Sequence, residues 1–124
     1  MEIWINPECS KCRAAVDVLD AADLTYTVRR YLDEPPSAAE IQDVLERLGL
    51  EPWDIARLNE PIAHELKLDQ LGRTDATREA WIKVMAQNPV LIQRPIITTG
   101  DDTARVVRDS HALAAVLETS TQQR

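Results

Sequence analysis

Two cysteines, Cys9 and Cys12, stand three positions apart in the run Asn6-Pro7-Glu8-Cys9-Ser10-Lys11-Cys12-Arg13, directly after a short apolar segment and at the head of a helix-like pattern. A cysteine at a helix N-terminus meets unpaired backbone N–H groups and the positive end of the helix dipole, and both favour thiolate over thiol. Lys11 and Arg13 add positive charge nearby. If the run is helical, the two sulfurs lie on adjacent turns of one face, within reach of a disulfide with little backbone movement. Zinc is the competing use of such a pair. Only His64 and His111 remain to complete a site, in separate helical contexts without ligand-pair spacing, so no metal is expected and both histidines are read as surface residues.

The elements that must position this pair follow from periodicity. Ile3 to Ile5 reads as a short strand running into the Cys9 loop. From Lys11 to Ala22 the apolar residues Ala15, Val18, Leu19 and Ala22 recur at helical spacing, and Thr25 to Tyr31 alternates β-favouring residues as a second strand. A crossover one helix long predicts a parallel βαβ unit. Ser37 with Glu40 three residues on is a capping-box start for a helix whose stripe is Ile41, Val44, Leu45 and Leu48 and whose end is Gly49. Short helices over Trp53 to Leu58 and Ile62 to Leu68 are expected next. Then comes a longer one, capped by Thr74 or Asp75 and running to Gln87, with Ala80, Trp81, Val84 and Met85 on one side. Trp4, Trp53 and Trp81 fall among apolar neighbours as packing residues. Ile96 to Thr99, a turn at Gly100-Asp101-Asp102, and Arg105 to Arg108 form a hairpin pattern. Asp109 or Ser110 can cap a last helix with Leu113, Val116 and Leu117 inward, and Thr119 to Arg124 reads as a frayed polar end.

This order, βαβ, helices, ββα, predicts an α/β fold with a four-stranded mixed sheet. It makes one domain over residues 1–124, with a helical insertion at about 37–88 between the second and third strands. A chain of 124 residues with 44% hydrophobic content is the size of one domain with a real core. With 21 acidic against 14 basic residues, the net charge of −7 opposes non-specific binding to nucleic acid or anionic membrane. Any oxyanion site must be a local cluster of arginines. No signal-peptide pattern or long apolar run is seen, so a cytoplasmic chain is expected, and in a reducing cytosol a close cysteine pair is more often catalytic or redox-sensing than a staple.

The strand, Cys-x-x-Cys helix start, second strand and late ββα unit resemble the thioredoxin fold. With Asn6-Pro7-x-Cys9 and the helical insertion, the chain resembles the arsenate reductases of the glutaredoxin-linked kind over nearly its full length. Three further motifs carry the likeness: Arg57-x-Asn59-Glu60-Pro61, then Asn88-Pro89 through Arg94-Pro95-Ile96-Ile97, and finally Arg108 after the hairpin turn. Each arginine taken alone reads as an ordinary solvated or salt-bridged side chain; their order around the cysteine motif is what gives them weight. The resemblance implies that Cys9 is the nucleophile and that Arg57, Arg94 and Arg108 handle the oxyanion, with Arg105 competing for the last place. It also implies that Pro95 is a cis-proline beside the site. A histidine that the family often carries two residues before the proline of its Asn-Pro motif is replaced here by Ile5, which leaves thiolate formation to the helix terminus and the arginines.

The chemistry implied is attack of the Cys9 thiolate on arsenate, with guanidinium groups and the backbone N–H groups from Ser10 to Arg13 holding the anion. A second thiol then takes the Cys9 sulfur, releasing arsenite and leaving a disulfide. Cys12 is the internal candidate, and glutathione, glutaredoxin or thioredoxin the external reductants. No bound cofactor is expected, and the protein is expected to act as a monomer on a small oxyanion. Two alternatives share the motif. Spx-type regulators carry a Cys-x-x-Cys redox switch and bind RNA polymerase, but Asn6-Pro7 and Arg57-x-Asn59 look more like the reductase branch. A general dithiol oxidoreductase would reduce disulfides without arsenate turnover.

Overall fold

The computed structural model describes residues 1–100, 103–108 and 110–122. The chain forms two compact units, one of Met1–Glu34 with Arg94–Arg124, the other of Pro35–Gln93. In the first unit, β1 (Glu2–Ile5), α1 (Ser10–Ala21) and β2 (Thr27–Arg30) are followed by β3 (Ile96–Thr98), β4 (Ala104–Val106) and α5 (Ser110–Gln122). The sheet order is β2-β1-β3-β4. β1 pairs with β2 in parallel, Ile5 opposite Arg30, whereas β1–β3 and β3–β4 are antiparallel, with Ile3 opposite Ile97 and Ile96 opposite Val106. This is the mixed thioredoxin-like sheet. Its core brings Ile3 and Ile5 of β1, Ile97 of β3 and Val107 against Cys12, Ala15 and Leu19 of α1 and Val116 of α5. Strand alternation turns Trp4 to the opposite face. There its indole N–H donates to Glu2 Oε1 at 2.8 Å and the Arg29 guanidinium lies 5.6 Å from the ring centre.

Several boundaries differ from the sequence expectation, each for a local reason. Ala22 is exposed and follows the helix, and Cys12 occupies the buried stripe of α1 in its stead. β2 stops at Arg30, so Tyr31 lies just beyond the strand and is wholly buried. β4 ends at Val106, although the Val107 N–H still donates to the Pro95 carbonyl at 2.9 Å. Arg108 therefore sits past the ladder. Thr99 and Thr103 close the hairpin turn, the Thr99 N–H donating to the Thr103 carbonyl at 3.0 Å, while Asp101 and Asp102 lie outside the described residues. Asp109 lies outside them too, and α5 continues to Gln122 where a frayed end was expected from Thr119.

The second unit contains α2 (Ala38–Leu48), α3 (Pro61–Glu65) and α4 (Asp75–Gln87) with short 3₁₀ turns between them. Ser37 accepts the Glu40 N–H at 3.1 Å while Glu40 accepts the Ser37 N–H at 3.1 Å, and Gly49 ends the helix at φ 68°. The expected helix over Trp53 to Leu58 is a single 3₁₀ turn, Pro52–Asp54, because Ala56 leaves to form an isolated bridge with Ile92. The expected helix from Ile62 to Leu68 is α3 followed by a 3₁₀ turn at Leu68–Gln70, broken where Lys67 takes a positive φ. On α4 the buried residues are Trp81, Ile82 and Met85; Ala80 faces solvent and Val84 is half-buried. Trp81 donates its indole N–H to the Gly72 carbonyl at 2.7 Å and meets Trp53 edge-on, ring centres 6.3 Å apart. Among the described residues no helix is long and apolar enough to cross a membrane.

The reciprocal cap at Ser37 makes a direct stability test. Ser37→Ala should lower the unfolding free energy by about 1 kcal/mol, and Ser37→Gly by only a few tenths. Equal stability of both variants to wild type in chemical denaturation would show the cap to be dispensable.

Candidate active site

The first unit builds the site from the turn after β1. Asn6 shapes that turn twice over: its carbonyl accepts the Cys9 N–H at 2.9 Å and its side-chain oxygen accepts the Glu8 N–H at 3.0 Å. Cys9 is thereby left as the N-cap of α1, with extended backbone (φ −85°, ψ 123°) and its carbonyl accepting the Arg13 N–H at 3.1 Å. Its sulfur is partly exposed. Cys12, one turn on, points into the core at 1% exposure, and both thiols are free.

Environment drives the two thiols apart. Burial pushes the Cys9 thiol up, but the Cys12 N–H, the Arg94 guanidinium, the Cys12 thiol and the Lys11 N–H together outweigh it and bring Cys9 down from 9.0 to about 7. As a neutral thiol Cys9 makes no capping hydrogen bond. The N–H groups at the head of α1 therefore act chiefly by favouring the anion. Cys12 moves the other way, to about 11: burial dominates, the Asn6 N–H opposes it, and hydrogen bonding and repulsion from the Cys9 anion add to the rise. The pair thus shares one proton, held on Cys12 and donated toward the Cys9 sulfur.

Arg94 is the cation that hydrogen-bonds the Cys9 sulfur. Burial disfavours its charge, yet the hydrogen bond to the Cys9 sulfur and the Tyr31 hydroxyl outweigh that and raise it above the ordinary guanidinium value. Its backbone is fixed as well. The Arg108 Nη1 donates to the Arg94 carbonyl at 2.8 Å, and Arg94-Pro95 is a cis peptide. Of the two arginines competing for the hairpin position, Arg108 is the one that touches Arg94; Arg105 is exposed on β4 opposite Ile97.

The remaining expected residues take varied places. Ser10 and Arg13 are exposed on the first turn of α1, as is Glu8 on the loop, and Pro95 is buried. Arg57 belongs to the second unit, where its Nε meets Glu60 Oε1 at 3.1 Å and its Nη1 donates to Gln93 Oε1 at 2.8 Å. His64 and His111 are exposed. Tyr31 was not among the sequence candidates. Only the strand register reveals it: Ile5 opposite Arg30 places the residue after β2 beside Asn6, at the end of the sheet that carries Cys9. Beside α1 open two cavities of about 250 Å³, one lined by Ile5, Pro7, Cys12, Arg13, Val16 and Asp17, the other having Lys11 and Arg108 among its walls.

This asymmetry predicts selective labelling. Native protein exposed to limiting iodoacetamide near neutral pH should carry the label on Cys9 alone, and denatured protein on both thiols, as peptide mapping by mass spectrometry will report. Equal native labelling of Cys12 would contradict the separation of the two thiols.

Comparison with known proteins places the chain in a family. Residues 4–116 match the ArsC family. A protein from the glnII region of Streptomyces viridochromogenes, itself uncharacterized, is 56% identical over 94% of this chain and 98% of its own. An arsenate reductase of Neisseria meningitidis is 33% identical over 94% of this chain and 97% of its own. Among solved structures, the arsenate reductase from Vibrio cholerae superposes with a TM-score of 0.78 at 32% identity, covering 95% of this chain and 97% of that one. With the family pattern spanning both the cysteine loop and the Arg94-Pro95 turn, the chain belongs to the ArsC family.

Proposed function

We propose that this protein is a thiol-dependent reductase of arsenate, with Cys9 as nucleophile. One observation carries the reading: a partly exposed sulfur at a helix N-terminus, bonded to a guanidinium and brought to about 7, is an anion near neutrality placed beside an oxyanion-binding cation. The named arsenate reductases of Neisseria meningitidis and Vibrio cholerae support it.

In the proposed cycle the Cys9 thiolate attacks arsenic(V). An S–As bond forms, an As–O bond breaks, and the oxygen leaves as water after protonation. Arg94 and Arg108, with the N–H groups of Ser10 to Cys12, hold the remaining oxygens, the Arg13 N–H being taken by the Cys9 carbonyl, and Arg57 is assigned to the same task by the family resemblance. Asn6 holds the loop that presents Cys9, and Pro95 follows Arg94 in the adjoining turn. A second thiolate then attacks the Cys9 sulfur; the S–As electron pair stays on arsenic, which departs as arsenite, and a disulfide remains. Cys12 is suited to this step because adduct formation removes the Cys9 anion that helps hold its proton, while Arg94 favours its ionised form. Two external thiols, from glutathione, glutaredoxin or thioredoxin, then restore the dithiol by successive exchange and end joined as a disulfide themselves, with no bound cofactor needed.

A general dithiol oxidoreductase is the second reading, favoured by the same pairing of one thiol at about 7 with a buried one at about 11. Arsenate-dependent turnover in assays coupled to glutaredoxin or to thioredoxin separates the two. The arsenate reading expects turnover that Cys9→Ser abolishes and that Arg94→Lys lowers about a hundredfold in kcat/KM. Cys12→Ser should retain adduct formation and yield a mixed disulfide at Cys9 in place of the internal one. Disulfide reduction without arsenate turnover would replace this reading with the second.

A further inference from the structure

We propose that Tyr31 is a positioning residue for the reacting thiol: its buried hydroxyl holds the Arg94 guanidinium in the orientation that faces the Cys9 sulfur. The inference rests on the reading of Cys9 as the reacting group, and adds a residue that neither the cysteine motif nor the arginine motifs contain.

Three observations lead to Tyr31. First, the side chain is wholly buried although its position, one residue beyond an otherwise exposed edge strand, would allow it to point outward. A buried phenol loses its hydration unless its hydroxyl finds a partner. Second, that partner is Arg94, whose guanidinium bonds both the Tyr31 hydroxyl and the Cys9 sulfur. Third, the topology brings the two residues to the same end of the sheet. Parallel pairing of Ile5 with Arg30 brings the residues after β1 and β2 to one end of the sheet, and the antiparallel pairing of Trp4 with Ile96 brings the start of β3, with Arg94 two residues before it, to that same end.

An arginine has four side-chain torsions, and a guanidinium that rotates away from the sulfur stabilises nothing. The Arg94 backbone is held by the Arg108 contact to its carbonyl, which leaves the side chain to be fixed separately. The Tyr31 hydroxyl and the Cys9 sulfur are both bonded by the one guanidinium. The phenol ring, locked by packing, therefore sets the direction of the fork. Tyr31 touches neither the reacting sulfur nor the substrate in this scheme; it acts through Arg94.

Tyr31→Phe removes the hydroxyl and keeps the ring. The pH profile of Cys9 alkylation by iodoacetamide should move upward, so that the rate at a pH about one unit below the wild-type midpoint falls about threefold, a shift of about half a pKa unit. In an Arg94→Ala background the same substitution should leave the profile where Arg94→Ala puts it. An unmoved profile in the single variant, or an equal movement in both backgrounds, would overturn the proposal. Should Tyr31→Phe not fold, the native hydroxyl can be followed instead. With 3-fluorotyrosine at position 31 and Tyr26→Phe, the fluorine resonance should titrate with a midpoint near that of Cys9 and lose that titration in Cys9→Ser; a resonance indifferent to Cys9 would overturn the proposal. Alkylation reads the Tyr31–Arg94–Cys9 link whether or not arsenate is turned over, so its failure is distinct from failure of the arsenate reading.

Discussion

The candidate site depends on holding a negative charge on the partly buried sulfur of Cys9, whose thiol is brought down to about 7. Removing a thiolate from water raises its pKa, and burial is the largest influence on this one. The sulfur reaches about 7 only because donors converge on it: two backbone N–H groups at the head of α1, the Cys12 thiol and the Arg94 guanidinium. Each donor is worth having only if it is fixed beforehand, since a donor that must be ordered at the moment of reaction returns its gain as entropy.

The fold supplies that fixation through different devices. The N–H donors are fixed by the helix itself, begun by the two Asn6 hydrogen bonds that shape the turn after β1. Cys12 is fixed because it belongs to the hydrophobic core, packed with Ile3, Ala15, Leu19 and Ile97, and the same burial keeps it protonated and able to donate. Arg94 is fixed from outside the helix, by Arg108 on its carbonyl and by Tyr31 at its guanidinium. Core packing and thiol chemistry are therefore coupled: a change in how α1 sits on the sheet alters the donor set as well as stability.

Much of this was legible in the sequence, for reasons that differ by element. The capping box at Ser37 and Glu40 and the left-handed Gly49 are local chemistry, decided within a few residues, and are found where expected. The cysteine loop, the parallel βαβ unit and the hairpin follow from short-range pattern and the geometry of crossovers. The stretch from Trp53 to Leu58 misled because a run that short satisfies helical spacing by chance, and a single distant pairing of Ala56 with Ile92 decides its conformation. On α4, spacing alone gave Ala80 where Ile82 is buried, since two adjacent stripes fit the same residues. Tyr31 was hidden for a different reason: its partner Arg94 is 63 positions away in sequence, counting from 31 to 94, and only the strand register brings them together. That Arg108, and not Arg105, touches Arg94 could be read only once the end of β4 was known.

The account stands on the charge state of Cys9 in the absence of substrate. The direct measurement is the ultraviolet absorbance of the thiolate in the Cys12→Ser variant and in wild type, followed as pH is raised from acid to alkaline. Wild type should show a transition of one sulfur centred near 7, with the second appearing only toward 11, and Cys12→Ser a single transition still below 9.0, its hydroxyl able to donate in place of the thiol. A first transition at the ordinary 9.0 in wild type would mean that the helix terminus and Arg94 do not stabilise the anion, and would contradict the account at its base.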